Sequence, residues 1–298
     1  MGGGRNMLFP DTNRIIGEAF ENGCLPTMVY INKQNYERKT VQRPLHRHNS
    51  ICELLLVYKG TGTYHVEGKS FPLKEGDVIF YNQGDLHEVV SATENEIGHY
   101  CIGITNLRKR GFERNYLVNT EEACVRQSRH LFPMLQTICN QMFELEGTNE
   151  EGKLAAQLLC ATLIIITSQL DHFPMVAAAK TQEDWIVLRI RNYLNQNFTD
   201  DVTLDAIADA LGCSSTYVSH VFKKNTGRTP IQYLIRRRIG HAQTLLISTD
   251  YTATQIATSV GYDNANYFCT LFSKIVGMSP IRYRDFYKEE MKGRLNQS

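Results

Sequence analysis

The feature that most constrains this chain is an internal repeat near its C-terminus. "TLDAIADALG" (203–212) is matched by "TATQIATSVG" (252–261), and "VFKKNTGRTP" (221–230) by "LFSKIVGMSP" (271–280). The offset is 49 residues in the first pair and 50 in the second, which places a one-residue insertion in the intervening turn or helix start. Repetition at a fixed period signals duplicated supersecondary units. Here each unit reads as a helix, a glycine-containing turn and a second helix.

In the first unit Leu204, Ile207, Ala208 and Leu211 fall at i, i+3, i+4 and i+7, one apolar stripe on a short helix. Gly212 follows, where tolerance of positive φ makes a sharp stop, and Ser214 is placed to cap the next helix. Within "SSTYVSHVFKK" (214–224) the spacing turns Tyr217, Val218, Val221 and Phe222 toward a core. Ser215, Thr216, Ser219, His220 and Lys223 face outward. That outer face is polar, free of acidic residues, and ends in the basic pair Lys223 and Lys224. Hydrogen-bonding side chains for base edges, flanked by cations for phosphates, are what a DNA recognition helix needs. The second unit repeats the logic. Ile256, Ala257 and Val260 form the supporting stripe, Gly261 makes the turn, and Tyr267, Phe268, Leu271 and Phe272 pack inward. Asn264, Ala265, Asn266, Cys269, Thr270 and Ser273 are presented outward with Lys274 nearby.

Between the units "TPIQYLIRRRIGHAQTLLIS" (229–248) reads as a helix starting near Pro230, a favoured first-turn residue. Such a rod is about 28 Å long, close to the ~34 Å between successive major-groove faces of one duplex. A helical bundle with merely solvated polar faces shares part of this pattern; two copies on a spacer of this size favour DNA. Charge agrees in sign. From Glu183 to Ser298 there are 14 Lys+Arg against 11 Asp+Glu, leaving 18 against 20 in the remainder.

Residues 183–290 resemble the DNA-binding domain of the AraC/XylS family of transcription regulators. The residues that carry the resemblance are "IADALGCSSTYVSHVFKKNTGRTPIQYLIRRRIGHAQTLL" and "IATSVGYDNANYFCTLFSKIVGMSPIRYR". The resemblance implies tandem contacts to an asymmetric DNA site, dimeric action at promoters and RNA polymerase as a partner. It also implies base reading by the outward residues, with Ala265 and Cys269 suited more to thymine methyls, phosphates or DNA shape.

Residues 24 to about 105 have a different texture. "MVYINKQ", "CELLLVYKG", "GTYHVEG", "GDVIFYN", "HEVVSA" and "GHYCIGI" are short β-rich runs punctuated by Gly, Asn and Asp, the spacing of a sandwich or small barrel. "VEGKSFPLKEGD" reads as a turn, a short edge strand and another turn. Past residue 122, "SRHLFPMLQTICNQMFELE" and "EGKLAAQLLCATLIIITSQLDHF" carry helical spacing around the polar turn "GTNEEG". The expected organisation is an N-terminal segment and effector-binding β-barrel over 1–121 and a helical pair, the dimerisation candidate, over 122–172. A linker over 173–182 and an all-α tandem helix-turn-helix domain over 183–298 complete it.

The β-rich part also resembles something. His46, His48, Glu53 and Gly60 follow H-x-H-x4-E-x6-G, the first cupin motif; Gly76, Gly84 and His87 fit the second, with Asn82 where its proline stands. The resemblance implies a barrel with His46, His48, Glu53 and His87 converging inside. Three imidazoles and a carboxylate suit Fe, Mn, Ni or Zn, so a divalent transition metal enters as a possible cofactor. Two readings follow. One is a ligand-responsive transcription factor whose pocket (His46, His48, Glu53, Tyr64, Tyr81, His87) takes a small molecule, with a sugar suited to the His, Glu and Tyr mixture. The other is a cupin metalloenzyme, an oxygenase or isomerase, with an accessory helical domain. A constitutive DNA binder with a vestigial barrel is a third.

Eight cysteines without a C-x-x-C pair, and an N-terminus without the apolar core of a signal peptide or a myristoylation pattern, point to a reducing cytoplasm. The apolar run 155–170 is interrupted by polar residues too often to span a bilayer. No membrane partner is expected.

Overall fold

Alternating apolar residues build the first half into two sheets. The structure is a computed structural model that describes residues 12–34, 45–66, 69–91, 97–119, 124–170 and 182–295. A short helix α1 (Thr12–Ala19) precedes β1 (Thr27–Gln34), β2 (Cys52–Lys59), β3 (Thr61–Val66), β4 (Lys69–Lys74), β5 (Asp77–Tyr81), β6 (His87–Ser91), β7 (Gly98–Thr105) and β8 (Val125–Gln127). One sheet has the order β1-β7-β2-β5-β8, the other β4-β3-β6. Among the described residues these are two open sheets rather than the closed barrel expected from the sequence. The segment "KSFPLK" is indeed an edge strand, as Pro72 requires on the side without ladder hydrogen bonds.

Strand β2 sits near the middle of the larger sheet and is buried on both faces, which explains its unbroken apolar run "LLLV". Its pleat divides two cores. Cys52, Leu54 and Leu56 face the helical side, where they meet Leu135, Cys139, Met142 and Cys160. Leu55 and Val57 face the space between the sheets with Tyr64, Val66, Ile79 and Tyr81. Glu53 shares the parity of Leu55 and Val57, so the same alternation that makes the core delivers a carboxylate between the sheets.

Two antiparallel helices, α2 (Phe132–Glu146) and α3 (Glu150–Ser168), cover the larger sheet. The side chain of Asn149 caps α3 by accepting from Gly152 N. Gln157 ties α3 to β1 by a pair of bonds with the backbone of Met28, 2.7 and 2.9 Å. Val125–Gln127 forms a strand of the larger sheet, so the helical pair begins at Phe132 rather than near residue 122. The expected linker at 173–182 lies, apart from its last residue, outside the described residues.

The C-terminal half is helical: α4 (Gln182–Gln196), α5 (Leu204–Leu211), α6 (Ser215–Thr226), α7 (Pro230–Ser248), α8 (Ala253–Ser259), α9 (Ala265–Val276) and α10 (Pro280–Leu295). It has two cores, one per repeat. Val218, Val221, Phe222, Tyr233 and Leu234 belong to the first, and Ile239, Ala242, Leu246, Phe268, Phe272 and Tyr283 to the second. Helix α7 serves both, its N-terminal turns in the first and its remainder in the second. The duplication is visible in matched contacts. Phe222 meets Tyr233 at 5.6 Å and 84°, and Phe272 meets Tyr283, fifty residues on, at 5.6 Å and 81°. Thr203 and Thr252 cap α5 and α8, Ser214 and Asn264 cap α6 and α9. Gly212 and Gly261 keep the shorter offset and the caps Ser214 and Asn264 the longer, so the inserted residue lies between Gly261 and Asn264.

Apolar and charged contacts join the halves. Leu45 and Leu86, from the sheet-rich half, are buried within the first helical core. Glu88 on β6 receives Arg228 and Arg236 from the helical half.

Candidate effector site and nucleic-acid interface

His46, His48, Glu53 and His87 come together: their ligand atoms all lie within 4.8 Å of one another. Two backbone segments place them. His46 and His87 form a bridge, His46 N to His87 O at 3.0 Å and His87 N to His46 O at 2.8 Å, which sets their rings 4.4 Å apart. Glu53 reaches them from β2, with Oε2 at 2.9 Å from His87 Nε2 and 3.3 Å from His48 Nε2. Burial is the largest influence on Glu53 and opposes its charge, but the charges and hydrogen bonds of His48 and His87 outweigh it and hold the carboxyl well below the usual range. His46, Glu53 and His87 are buried and His48 is half-buried, so His48 is the side of the cluster open to solvent.

Tyr81 stacks on His87 at 3.8 Å, and Tyr64 packs edge-on against Tyr81 at 5.1 Å. Both tyrosines are buried, and burial pushes both phenols well above their ordinary range. All six residues expected at the pocket therefore belong to one neighbourhood. Asn82, where the cupin pattern has proline, has its own use. Its side chain accepts from Leu117 N at 2.8 Å and donates to Val118 O at 3.0 Å, while Asp85 Oδ2 accepts from Asn82 N. This network fixes the turn that delivers His87.

Three further residues join the cluster that the sequence motifs do not mark. Tyr30 donates its phenol to Glu53 Oε1, and Cys101 Sγ lies 3.3 Å from the same oxygen. Asp85 O is 2.8 Å from His87 Nδ1. The signal for Tyr30 is Gly103. It pairs with Tyr30 on one side and Glu53 on the other, and a Cβ there would stand 2.5 Å from the Tyr30 ring. A glycine inside a strand marks such close passage, but only the register says what passes.

A cleft of about 330 Å³ lies on the opposite, helical face of the larger sheet, lined by Lys33, Tyr58, Tyr100, Gln136, Asn140 and two neighbours. It is separate from the histidine cluster.

On the helical half, Thr216, His220, Lys223 and Lys224 are exposed on α6, with Ser215 and Ser219 half-buried. On α9 Asn266, Thr270 and Lys274 are exposed, and Ala265, Cys269 and Ser273 half-buried. Several of these side chains are already engaged. Ser214 caps α6, Ser215 donates to Asp205, and Asn264 caps α9 by accepting from Asn266 N and Tyr267 N. Lys224 pairs with Glu183 at 2.8 Å, which leaves Lys223 the more available cation of that turn. Two expectations are corrected. Tyr217 and Tyr267 do not pack inward; they are 40% and 56% exposed. The core stripe is narrower than the sequence suggested: Val218, Val221 and Phe222 fill it, and Tyr217 stands one residue, about 100°, off that face. Leu271 is only half-buried.

Residues 29–165 match the AraC-like ligand binding domain family, and residues 207–285 match a helix-turn-helix domain family. The chain belongs to the AraC family of transcription regulators. AraC-family relatives are similar over about four fifths of the chain: YdiP, an uncharacterized HTH-type transcriptional regulator of Escherichia coli K12, is 25% identical over 82% of this chain and 81% of its own. The transcriptional activator RhaR of Mannheimia succiniciproducens is 24% identical over 81% of this chain and 87% of its own. Among solved structures, the C-terminal domain of AraT, a response regulator from Geobacillus stearothermophilus, is 37% identical over 36% of this chain and 88% of that chain, with a TM-score of 0.35. This AraC-family protein is accordingly a transcription regulator with a ligand-binding half and a DNA-binding half. The comparisons support that reading over the cupin metalloenzyme.

Proposed function

We propose that this regulator senses a small polyhydroxy molecule, a sugar or a close analogue, at the histidine cluster and reads DNA through α6 and α9. The observation that carries the reading is the convergence of His46, His48, Glu53 and His87, walled by Tyr64 and Tyr81, in the domain that matches a ligand-binding family. Imidazoles, a carboxylate and phenols provide the donors and acceptors that hydroxyls need. A relative 24% identical to this chain is named the lactose operon transcription activator of Staphylococcus xylosus, which agrees with a sugar as effector. A thermal-shift screen of mono- and disaccharides tests it. One sugar should raise the melting temperature of the wild type and not of His48→Ala, and no response to any sugar would overturn this effector class.

In the DNA-binding half the same reading assigns base contacts to Thr216, Ser219, His220, Asn266 and Thr270, and phosphate contacts to Lys223 and Lys274. Ser214, Ser215 and Asn264 hold the recognition helices in place, while Ala265 and Cys269 meet methyl groups or DNA shape. The exposed tyrosines Tyr217 and Tyr267 add an aromatic edge at equivalent places. Helix α3 presents Leu154, Leu158, Thr162 and Ile165 outward at helical spacing, with Leu154 60% exposed. Its apolar length is that of a membrane span, but its other face packs on α2 and the sheet, and we assign the outward stripe to a homodimer in the cytoplasm that works with RNA polymerase.

One observation favours a second reading of the cluster. Both ring nitrogens of His87 face acceptor oxygens, Asp85 O and the Glu53 carboxylate. A cation seated between the ring and Glu53 would satisfy that pairing. The donor set, three imidazoles and one carboxylate, suits a divalent transition metal. Bound there by His46, His48, Glu53 and His87, a metal would supply a Lewis acid able to hold a hydroxyl or carboxylate of the effector. Metal analysis of protein purified without an affinity tag decides between the two.

A further inference from the structure

Strand β6 and the segment around His46 form a plate with two faces. His46 and His87 are paired across the bridge and point into the polar cluster. Their chain neighbours must point the other way, because successive residues in extended backbone alternate. Leu45 and Leu86 accordingly lie in the first helical core, against residues such as Val187, Val218 and Tyr233. Glu88, 2% exposed, follows Leu86 on that face, paired in register with His65 of β3. Its two oxygens are taken by different arginines: Arg228 Nη1 on Oε1, and Arg236 on Oε2 through Nε at 2.8 Å and Nη2 at 2.6 Å.

These arginines stand where cations matter. Arg228 follows Gly227, the residue that ends α6, one turn beyond Lys223 and Lys224. Arg236 lies two turns into α7. The segment from Glu183 to Ser298 has a balance of only three positive charges. Lys224 already pairs with Glu183. With Glu88 holding two guanidiniums and Glu183 holding Lys224, three of the cations around α6 and the start of α7 are engaged in ion pairs.

We infer that Glu88 is an internal competitor for DNA phosphate: an autoinhibitory contact that occupies Arg228 and Arg236 while the effector half is docked. The inference rests on the sensing-and-DNA reading above and supplies its link. Whatever occupies the cluster and shifts His46 against His87 also shifts Leu45, Leu86 and Glu88, since they ride on the same two backbone segments. Release of Glu88 returns two cations to the DNA-facing half.

Full-length protein and a 40-base-pair duplex of arbitrary sequence suffice as a test, because phosphate binding is sequence-independent and each phosphate contact adds about 0.9 to the slope of log affinity against log salt. Glu88→Gln should bind the duplex about tenfold more tightly at low salt, with a slope steeper by about one to two. The double variant Arg228→Gln/Arg236→Gln, with Glu88 intact, should keep the wild-type slope, since those arginines were never available. A wild-type slope in Glu88→Gln, or a slope shallower by about two in the double arginine variant, overturns the inference while leaving the DNA-binding reading in place. Wild-type protein with no salt-dependent binding at all takes both down. Either variant alone is decisive if the other fails to fold.

Discussion

The two helix-turn-helix units share a scaffold and differ in their surroundings. Caps, glycine stops and the Phe–Tyr contact that closes each core recur at offsets of 49 or 50 residues with nearly the same geometry. The first unit, however, receives Leu45 and Leu86 into its core and lends Arg228 and Arg236 to Glu88. Among the described residues, the second core draws its side chains from Ile235 onward. Duplication kept what packs and let the periphery diverge, so that in the mechanism proposed above one unit would take the signal while the other would stay a plain DNA reader. Their junction is tight. Arg238 donates to Phe198 O and Asp200 O at 2.7 and 2.6 Å and lies over the Tyr262 ring, so a displacement of the first unit is felt by the second.

The equivalence of the two cores can be broken by truncation. Phe222→Ala and Phe272→Ala should each cost about 3–5 kcal/mol in denaturant unfolding, the usual range for a buried ring. A loss differing by more than about 2 kcal/mol would show that the units are not energetic copies. The turns, by contrast, should separate. Gly212→Ala, at φ 66° with open space around its Cβ, should cost about 1 kcal/mol. Gly261→Ala, at φ 87° with Thr199 O only 2.6 Å from the new Cβ, should cost about 2–3 kcal/mol, because a backbone oxygen must move. Equal losses would mean that the Gly261 turn relaxes freely.

On DNA, His220→Ala and Asn266→Ala should each remove about 1–3 kcal/mol of discrimination at a different half of the site, read by selection from a random duplex library. Lys223→Ala should lower the salt slope by about one, and Lys224→Ala by less because Glu183 already holds that ammonium. The smallest effect concerns His241 on α7. Burial first, then the positive charges of Arg237 and Arg47, pull its pKa down to about 4. An unfolded histidine titrates near 6.5, so between 6.5 and 4 the unfolded chain binds the extra proton. The stabilising neutral ring is worth its full amount above about 6.5 and is lost as the pH falls toward 4. Against pH, the melting temperature of His241→Gln should therefore fall less steeply than that of the wild type over that window.

The recognition helices were legible because a 3.6-residue period and a cap are local properties. Val218, Val221 and Phe222 sit where spacing alone puts them. Tyr217 and Tyr267 were misplaced because a ring at the edge of a stripe is buried or exposed according to its neighbours' size, which periodicity does not contain. On the other half, His46, His48, Glu53 and His87 followed a motif, and strand parity sufficed to turn them to one face. Tyr30, Cys101 and Asp85 carried no motif. Tyr30 and Cys101 reach the cluster through the β1–β7–β2 register, a long-range pairing, and Asp85 through the local turn that Asn82 ties to Leu117 and Val118.

By itself, then, the sequence determined the repeat, its caps and stops, the change from period 2 to period 3.6 along the chain, and the residues of the polar cluster. Each of these follows from alternation or from a fixed offset within a few turns of backbone. Only the tertiary structure decided that the sheets stay open, that Gly103 lets Tyr30 cross to Glu53, and that Glu88 is spent on Arg228 and Arg236. Those outcomes join residues 23 to about 150 positions apart. Such contacts are chosen by which packing of the whole chain buries its apolar surface and satisfies its buried charges at once.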